Sequence, residues 1–199
     1  MKNPHLENIL LNGIDANEPN AGYAYSGMGY ELVAKAMEIV AGKSAARIYD
    51  EHLFTPLGLG DVVMGNASSD GELTAMELAV LAQLVANQGK YGSSEFISEK
   101  TFQSLLPQLI RLKGGTQVEN QGLGLHRLQH RRAGAELNSQ SAEDWLFSQN
   151  TLGHGSFAGC VFLIDPDQEL VITMARRQTG LKHAEWTTKF FQTIADVVY

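Results

Sequence analysis

Tyr25-Ser26-Gly27 and Gly153-His154-Gly155-Ser156 hold the side chains of this chain best suited to acid–base chemistry. A tyrosine ordinarily keeps its proton to about pH 10, so alone it is a poor base. A neighbouring cation that stabilises the phenolate makes it a usable one. A histidine can be neutral or charged near pH 7, and can polarise a hydroxyl or orient a substrate. Each motif also has a plainer reading. Tyr25 can be a turn tyrosine packed over a helix start, and His154 a structural residue in a Gly-rich turn.

A nucleophile is harder to find. Ser26 adjoins Tyr25, and Ser156 lies two residues past His154. A serine nucleophile needs a base within hydrogen-bond reach and a partner that orients the base. Neither spacing indicates that, and no G-x-S-x-G elbow occurs. No serine in the chain is followed three residues later by lysine. Cys160 sits in an apolar run and reads as an inert buried thiol. As the one cysteine it excludes an internal disulfide. His126 and His130 share a strand or hairpin face, but no third ligand has clear spacing, so no metal site is expected. No phosphate-cradling Gly loop is present, and no cofactor is expected.

The 199 residues suit one domain with a sizeable core. At 44% hydrophobic and 19% charged, the composition is that of neither a disordered nor a membrane chain. A net charge of −7 repels phosphate backbones, so nucleic acid is not an expected partner. The one concentrated basic run, His126-Arg127 through His130-Arg131-Arg132, reads as a solvated loop or hairpin end. The N-terminal MKNPHLENILLNG lacks the apolar core of a secretory signal, which leaves the compartment open. No apolar run approaches membrane-spanning length.

The elements that must position the motifs come from periodicity and breakers. Residues 1–24 read as loop. Apolar spacing from Tyr30 to Val40 predicts a helix buried on a wide face and stopped by Gly42. A short helix over Ala45–Leu53 should end before Pro56. Thr74 and Glu77 form a capping box that opens a helix through Val85, with Gly89 as its stop. Ser98 can cap another short helix ending near Pro107. After Lys113-Gly114-Gly115 the chain turns to strands: Leu123-Gly124-Leu125, Trp145-Leu146-Phe147, Gly159–Ile164 and Glu169–Met174. Asp165-Pro166-Asp167-Gln168 is a tight turn between the last two. A closing helix from about Lys182 puts Ala184, Thr187, Phe190, Phe191, Ile194 and Val198 on one face. Helices, then an antiparallel meander, then a covering helix make an α+β fold.

The stretches PNAGYAYSGMGYELV, FTPLGLGDV, GELTAMELAVLAQLVANQGKYG, NQGLGL and LGHGSFAGCVFLIDPDQELVITMA follow in that order from Pro19. In that order the sequence resembles the serine β-lactamase and penicillin-binding-protein-like hydrolases, near the class C lactamase and esterase branch. The resemblance implies an N-terminally incomplete domain: loop over 1–24, a mainly helical part over 25–112, and antiparallel strands with a C-terminal helix over 113–199. It implies that Tyr25 matches the general-base tyrosine of a Tyr-x-Asn motif, with Ser26 in the middle and Gly27 where asparagine would contact substrate. It implies that His154-Gly155-Ser156 stands at the Lys-Thr-Gly strand, with His replacing Lys as in many esterases and peptidases. The Phe157 N–H would be one of two oxyanion-hole donors. The other donor belongs to a Ser-x-x-Lys serine, and that motif is missing. A small ester, peptide or lactam would be a substrate only of a completed site. The strands that pair with the last meander strand are expected to be absent too. Glu169–Met174 would then be a bare edge, and it or uncovered core surface would support a homodimer.

Overall fold

The computed structural model describes residues 25–60, 62–111, 117–122, 124–135 and 141–198. The expectations for 1–24, for Lys113-Gly114-Gly115 and for Leu123 lie outside those residues. The chain divides into two compact units: Met1–Leu73 with Ile110–Val118, and Thr74–Leu109 with Glu119–Tyr199.

In the first unit, α1 (Met28–Ala41) ends where Gly42 enters the left-handed region at φ 65° and returns its N–H to Glu38. Glycine takes that conformation without a Cβ penalty. The Glu38 carboxylate accepts the Ala45 N–H and bonds Lys35, which holds it below the usual carboxylate range. Ser44 caps α2 (Ala45–Tyr49) by accepting the Arg47 N–H. The helix does not end before Pro56. It continues through a π turn over Asp50–Phe54 and a 3-10 turn over Thr55–Leu57, with Pro56 at the start of the latter. Proline is tolerated there because its missing N–H would have had no partner in a first turn. Phe54, Leu57 and Leu59 are buried. A short hairpin of β1 (Val63–Met64) and β2 (Gly71–Glu72) follows, and the unit also takes in Ile110–Arg111 and Gln117–Val118.

The wide buried face expected for α1 is not found. Ala34 is its buried residue, while Tyr30, Leu32, Val33, Ile39 and Val40 are exposed, Val40 to 89%. Apolar spacing marks a face able to be buried; it does not supply the second layer that would bury it.

In the second unit, Thr74 caps α3 (Ala75–Ala86) with both bonds of the capping box formed. Gly89, at φ 91°, returns its N–H to Leu84 and closes the end. A hairpin of β3 (Lys90–Tyr91) and β4 (Ser94–Glu95) follows, then α4 (Glu99–Leu105), capped by Ser98. The remaining strands are β5 (Gln108–Arg111), β6 (Gln117–Gln121), β7 (His126–Arg127), β8 (Leu152–Gly155), β9 (Val161–Asp165) and β10 (Leu170–Met174). Among the described residues they form one sheet in the order β10-β9-β8-β7-β6-β5, with β10 at its end. β9 pairs antiparallel with β8 (His154 opposite Phe162) and with β10 (Leu163 opposite Ile172). The tight turn falls at Pro166–Glu169, one residue later than expected, so that Asp165 ends β9 and Glu169 stands in the turn.

The core joins Leu146, Phe147, Leu163, Ile172, Phe191 and Ala195, the last two from α5 (His183–Val198). The expected covering face holds at Phe190, Phe191 and Ile194, with fully buried Ala195 beside them, while Ala184 and Val198 at its ends are exposed. On another part of the sheet α3 packs against β9 and β10, and Thr173 Oγ1 donates to the Ala75 carbonyl. Beneath the β9–β10 turn, fully buried Asp165 accepts the Ser148 N–H and hydroxyl, each at 2.7 Å, and the Asp167 N–H. A carboxylate can be buried at tolerable cost when several donors converge on it like this.

Two expected strands are displaced. Gly124, at φ 82°, bends the chain, and pairing moves to β6 and β7 on either side. Trp145 makes only an isolated bridge to Arg131, and Leu146 and Phe147 are buried in succession, without the alternation of a strand. The basic run is likewise not a solvated end. The Arg131 guanidinium lies 4.3 Å from the Trp145 ring centre, Arg132 bonds Asp196, and Arg127 bonds Asn150. Cations placed on an aromatic face or a carboxylate are spent within the fold.

His130 packs 4.5 Å from the Phe191 ring and edge-on to Phe147. Burial there lowers its pKa below 6.5, because desolvation disfavours the imidazolium. The unfolded chain therefore takes up this proton first as pH falls. The stability held by a neutral His130 is full above about 6.5 and is lost as pH falls from there through the lower folded value. The expected outcome is that His130→Phe flattens the fall in Tm between pH 7 and 5 relative to wild type, as read by calorimetry.

Candidate functional site

The first half of the candidate site opens α1. Tyr25 is 65% exposed. Ser26 Oγ accepts the Met28 N–H at 3.1 Å, satisfying a donor that the helix start leaves open. Gly27 occupies the cap position, and its carbonyl accepts from Tyr30 and Glu31. A Cβ on Gly27 would stand 2.8 Å from Ser68 Oγ. Ser68 is fixed there, since its N–H and hydroxyl both donate to Glu31 Oε1, at 3.0 and 2.8 Å. The glycine that replaces the expected asparagine is thus matched to a serine that fills the space. Nothing local to residues 25–27 signals this contact, because Ser68 arrives from 37 residues beyond Glu31.

The second half lies on β8. Gly153 is buried, and a Cβ there would fall 2.1 Å from the Phe162 carbonyl oxygen and 2.6 Å from Leu128 Cδ1. Only glycine lets β9 approach so closely. His154 is half-buried and faces Phe162 across the strand pair. Its Nδ1 is bonded to the Gly155 carbonyl. A carbonyl only accepts, so Nδ1 is the donor in this pairing. The ring centre of His126 on β7 lies 4.7 Å away.

Gly155 has open space where a Cβ would be, and Phe157 is fully exposed. Ser156 closes the turn that follows. Its Oγ accepts the Cys160 N–H at 2.9 Å and its carbonyl accepts from Gly159. Cys160 is not a buried strand thiol. It is half-buried just before β9, and its Sγ exchanges bonds with the Arg176 N–H and carbonyl, both at 3.3 Å. The Arg176 guanidinium reaches His183, whose ring would meet any Cβ on Gly159. The turn after the candidate motif is therefore braced from the start of α5. Tyr25, Ser26 and Gly27 belong to the first unit; His154, Gly155, Ser156 and Phe157 belong to the second.

Among the described residues, no group of three or more His, Cys, Asp or Glu could hold a metal ion, and no helix is long and apolar enough to cross a membrane.

The model of the β-lactamase family matches residues 15–185, most of the 199-residue chain and both motifs. The chain belongs to the β-lactamase family. A crystal structure of a β-lactamase from Mycobacterium bovis superposes with a TM-score of 0.64 at 22% identity, covering 92% of this chain and 65% of that one. A candidate 6-aminohexanoate-dimer hydrolase from Bacillus anthracis gives 0.68 at 17% identity, covering 97% of this chain and 48% of that one. A candidate β-lactamase from Bacteroides dorei gives 0.62 at 14%, covering 94% and 63%. At such identities the likeness shows the fold. The chain spans less than two thirds of the length of these structures. No curated protein matches with significance.

The two glycines flanking His154 should respond differently to a methyl group. Gly153→Ala forces β8 from β9 and should cost about 1–3 kcal/mol, lowering Tm by several degrees. Gly155→Ala, with open space at its Cβ, should melt within about a degree of wild type. Thermal denaturation of both variants checks the contrast.

Proposed function

We propose that this β-lactamase-family chain is a partial serine hydrolase that keeps the tyrosine and His-Gly motifs, lacks the nucleophile motif and does not turn over substrate by itself. The observation that carries the reading is that no serine in the 199 residues precedes a lysine by three positions. In this reading Tyr25 is the general base, and His154 polarises a hydroxyl or orients substrate. Gly155, Ser156 and the Phe157 N–H line the place of the substrate. With the nucleophile's own N–H missing, half the oxyanion hole is gone, a loss of ~2.7–4 kcal/mol in transition-state stabilisation. The replacement serines do not fit the role. The hydroxyls of Ser26 and Ser156 accept local backbone N–H groups, and that of Ser148 donates to buried Asp165. If a second chain supplies Ser-x-x-Lys, histidine in place of lysine and Gly27 in place of asparagine favour an ester or peptide over a lactam.

A fluorophosphonate, which labels activated serines, should leave the isolated chain unmodified by intact-mass measurement. Stoichiometric labelling at any serine would overturn the reading.

A second reading, a non-catalytic binding or self-association module, rests on two surfaces. β10 ends the sheet order, and its LVITM carries no charge to oppose pairing. The exposed apolar residues of α1 add surface of the kind that partners bury. Both readings include a homodimer through the Glu169–Met174 edge or the uncovered apolar surface. Sedimentation equilibrium at micromolar concentration should give a dimer mass. A monomer across that range would remove self-association from both.

A further inference from the structure

We infer that the passage from β10 into α5, from Arg177 to Trp186, is a contact surface for an anionic lipid bilayer. It lies within the second unit and does not depend on the hydrolase reading. The first observation is charge. The chain carries −7, yet Arg176, Arg177, Lys182 and Lys189 stand in a stretch whose one carboxylate is Glu185. Glu185 is taken by Lys189 at 2.7 Å. The Arg176 guanidinium is turned onto the His183 ring, not onto a carboxylate. Arg177 and Lys182 are exposed, and neither forms an ion pair among the described residues. The β9–β10 register separates these cations from the nearest acidic run. Met174 pairs with Val161 at this end of the hairpin, and Leu170 pairs with Asp165 at the other, beside Asp167 and Glu169. Salt confines the field of a charge to about 8–10 Å, so a surface meets this local excess more than the net charge.

The second observation is apolar exposure at the same end. Leu181 is fully exposed and Trp186 is 60% exposed. The β8–β9 turn is seated here as well, since a Cβ on Gly159 would lie 2.6 Å from the His183 ring and 2.9 Å from Thr179 Cγ2. That turn carries Phe157, also fully exposed. Trp, Phe and Leu are the side chains that enter the boundary between headgroups and acyl chains, while Lys and Arg remain among the headgroups. The two observations together select the occupant. Cations alone would suit any polyanion, and apolar side chains alone would suit a second copy of the chain. A two-fold contact between copies would bring the same unpaired cations face to face, at a cost in repulsion. An anionic bilayer accepts both the cations and the apolar side chains. Composition hides such a surface, because a few side chains make it and the whole-chain charge has the opposite sign.

Co-sedimentation with vesicles tests the assignment. The full chain should sediment with vesicles of phosphatidylglycerol and phosphatidylcholine in equal parts, and stay in solution with phosphatidylcholine alone. Salt at about 0.5 M should release it. The double variant Arg177→Gln/Lys182→Gln should partition roughly thirtyfold more weakly, about fivefold for each cation. Leu181→Ser/Trp186→Ser should also weaken binding, by more than about tenfold. Val40→Ser, at an exposed apolar position of α1 in the other unit, should bind as wild type does. All five substitutions fall on exposed residues, and circular dichroism checks that each variant keeps the fold. Wild-type chain that stays in solution with the anionic vesicles, or binds the neutral ones equally, would overturn the inference whatever the variants do. Undiminished binding by the charge variant would overturn it too. Undiminished binding by Leu181→Ser/Trp186→Ser would mark a site for polyanions at large and sink the lipid assignment. Serine labelling by a fluorophosphonate would sink the proposed function and leave this inference standing.

Discussion

The close approach of β9 to β8 at Gly153 is the constraint on which the second unit turns. The Phe162 carbonyl oxygen occupies nearly the place of a Cβ, so the strand pair closes only over glycine. With β8 fixed there, Leu152 and Leu163 go into the interior, and His154 is set opposite Phe162. On the other side of β8 the His126 ring centre lies 4.7 Å from that of His154. A single missing side chain thus lets the strand pair beside the motif close.

Around that pair side-chain hydrogen bonds brace the turns. Asp165 gathers the Ser148 donors beneath the β9–β10 turn. Ser156, Cys160, Arg176 and His183 brace the turn between β8 and β9. Serines that composition alone would offer as nucleophiles are occupied in this way. The first unit shows the same habit, where Ser26 satisfies a helix-start N–H and Ser68 fills the space beside Gly27 while bonded to Glu31. A hydroxyl used to satisfy backbone donors contributes to stability, at roughly 0.5–1.5 kcal/mol each, without a base to activate it.

Much of the fold was legible because its signals are local. The Thr74–Glu77 capping box, the Gly42 helix stop and the turn beside Asp165 each lie within a few residues, the first two found where expected and the turn one residue later. The α+β class and the family followed from ordered motifs spread along the chain. What the sequence hid depends on partners distant in the chain. The α1 apolar face carries the right period, yet its residues are exposed, which spacing alone could not show. Trp145 to Phe147 look like a strand by composition and pack instead as a buried, non-alternating stretch held by Arg131 and the His130 carbonyl. The Ser68 contact with Gly27 and the His126–His154 pair cross dozens of residues and leave no local trace.

The central proposal is that these 199 residues keep a tyrosine and a histidine suited to acid–base chemistry and supply no nucleophile for them to serve. Pre-steady-state release of p-nitrophenol from p-nitrophenyl acetate by the isolated chain tests this most directly, compared with the Y25F/H154A double variant. The account predicts the same slow, burst-free release from both, since background reaction with surface groups needs neither residue. A burst stoichiometric with the wild-type chain and missing from the double variant would contradict it.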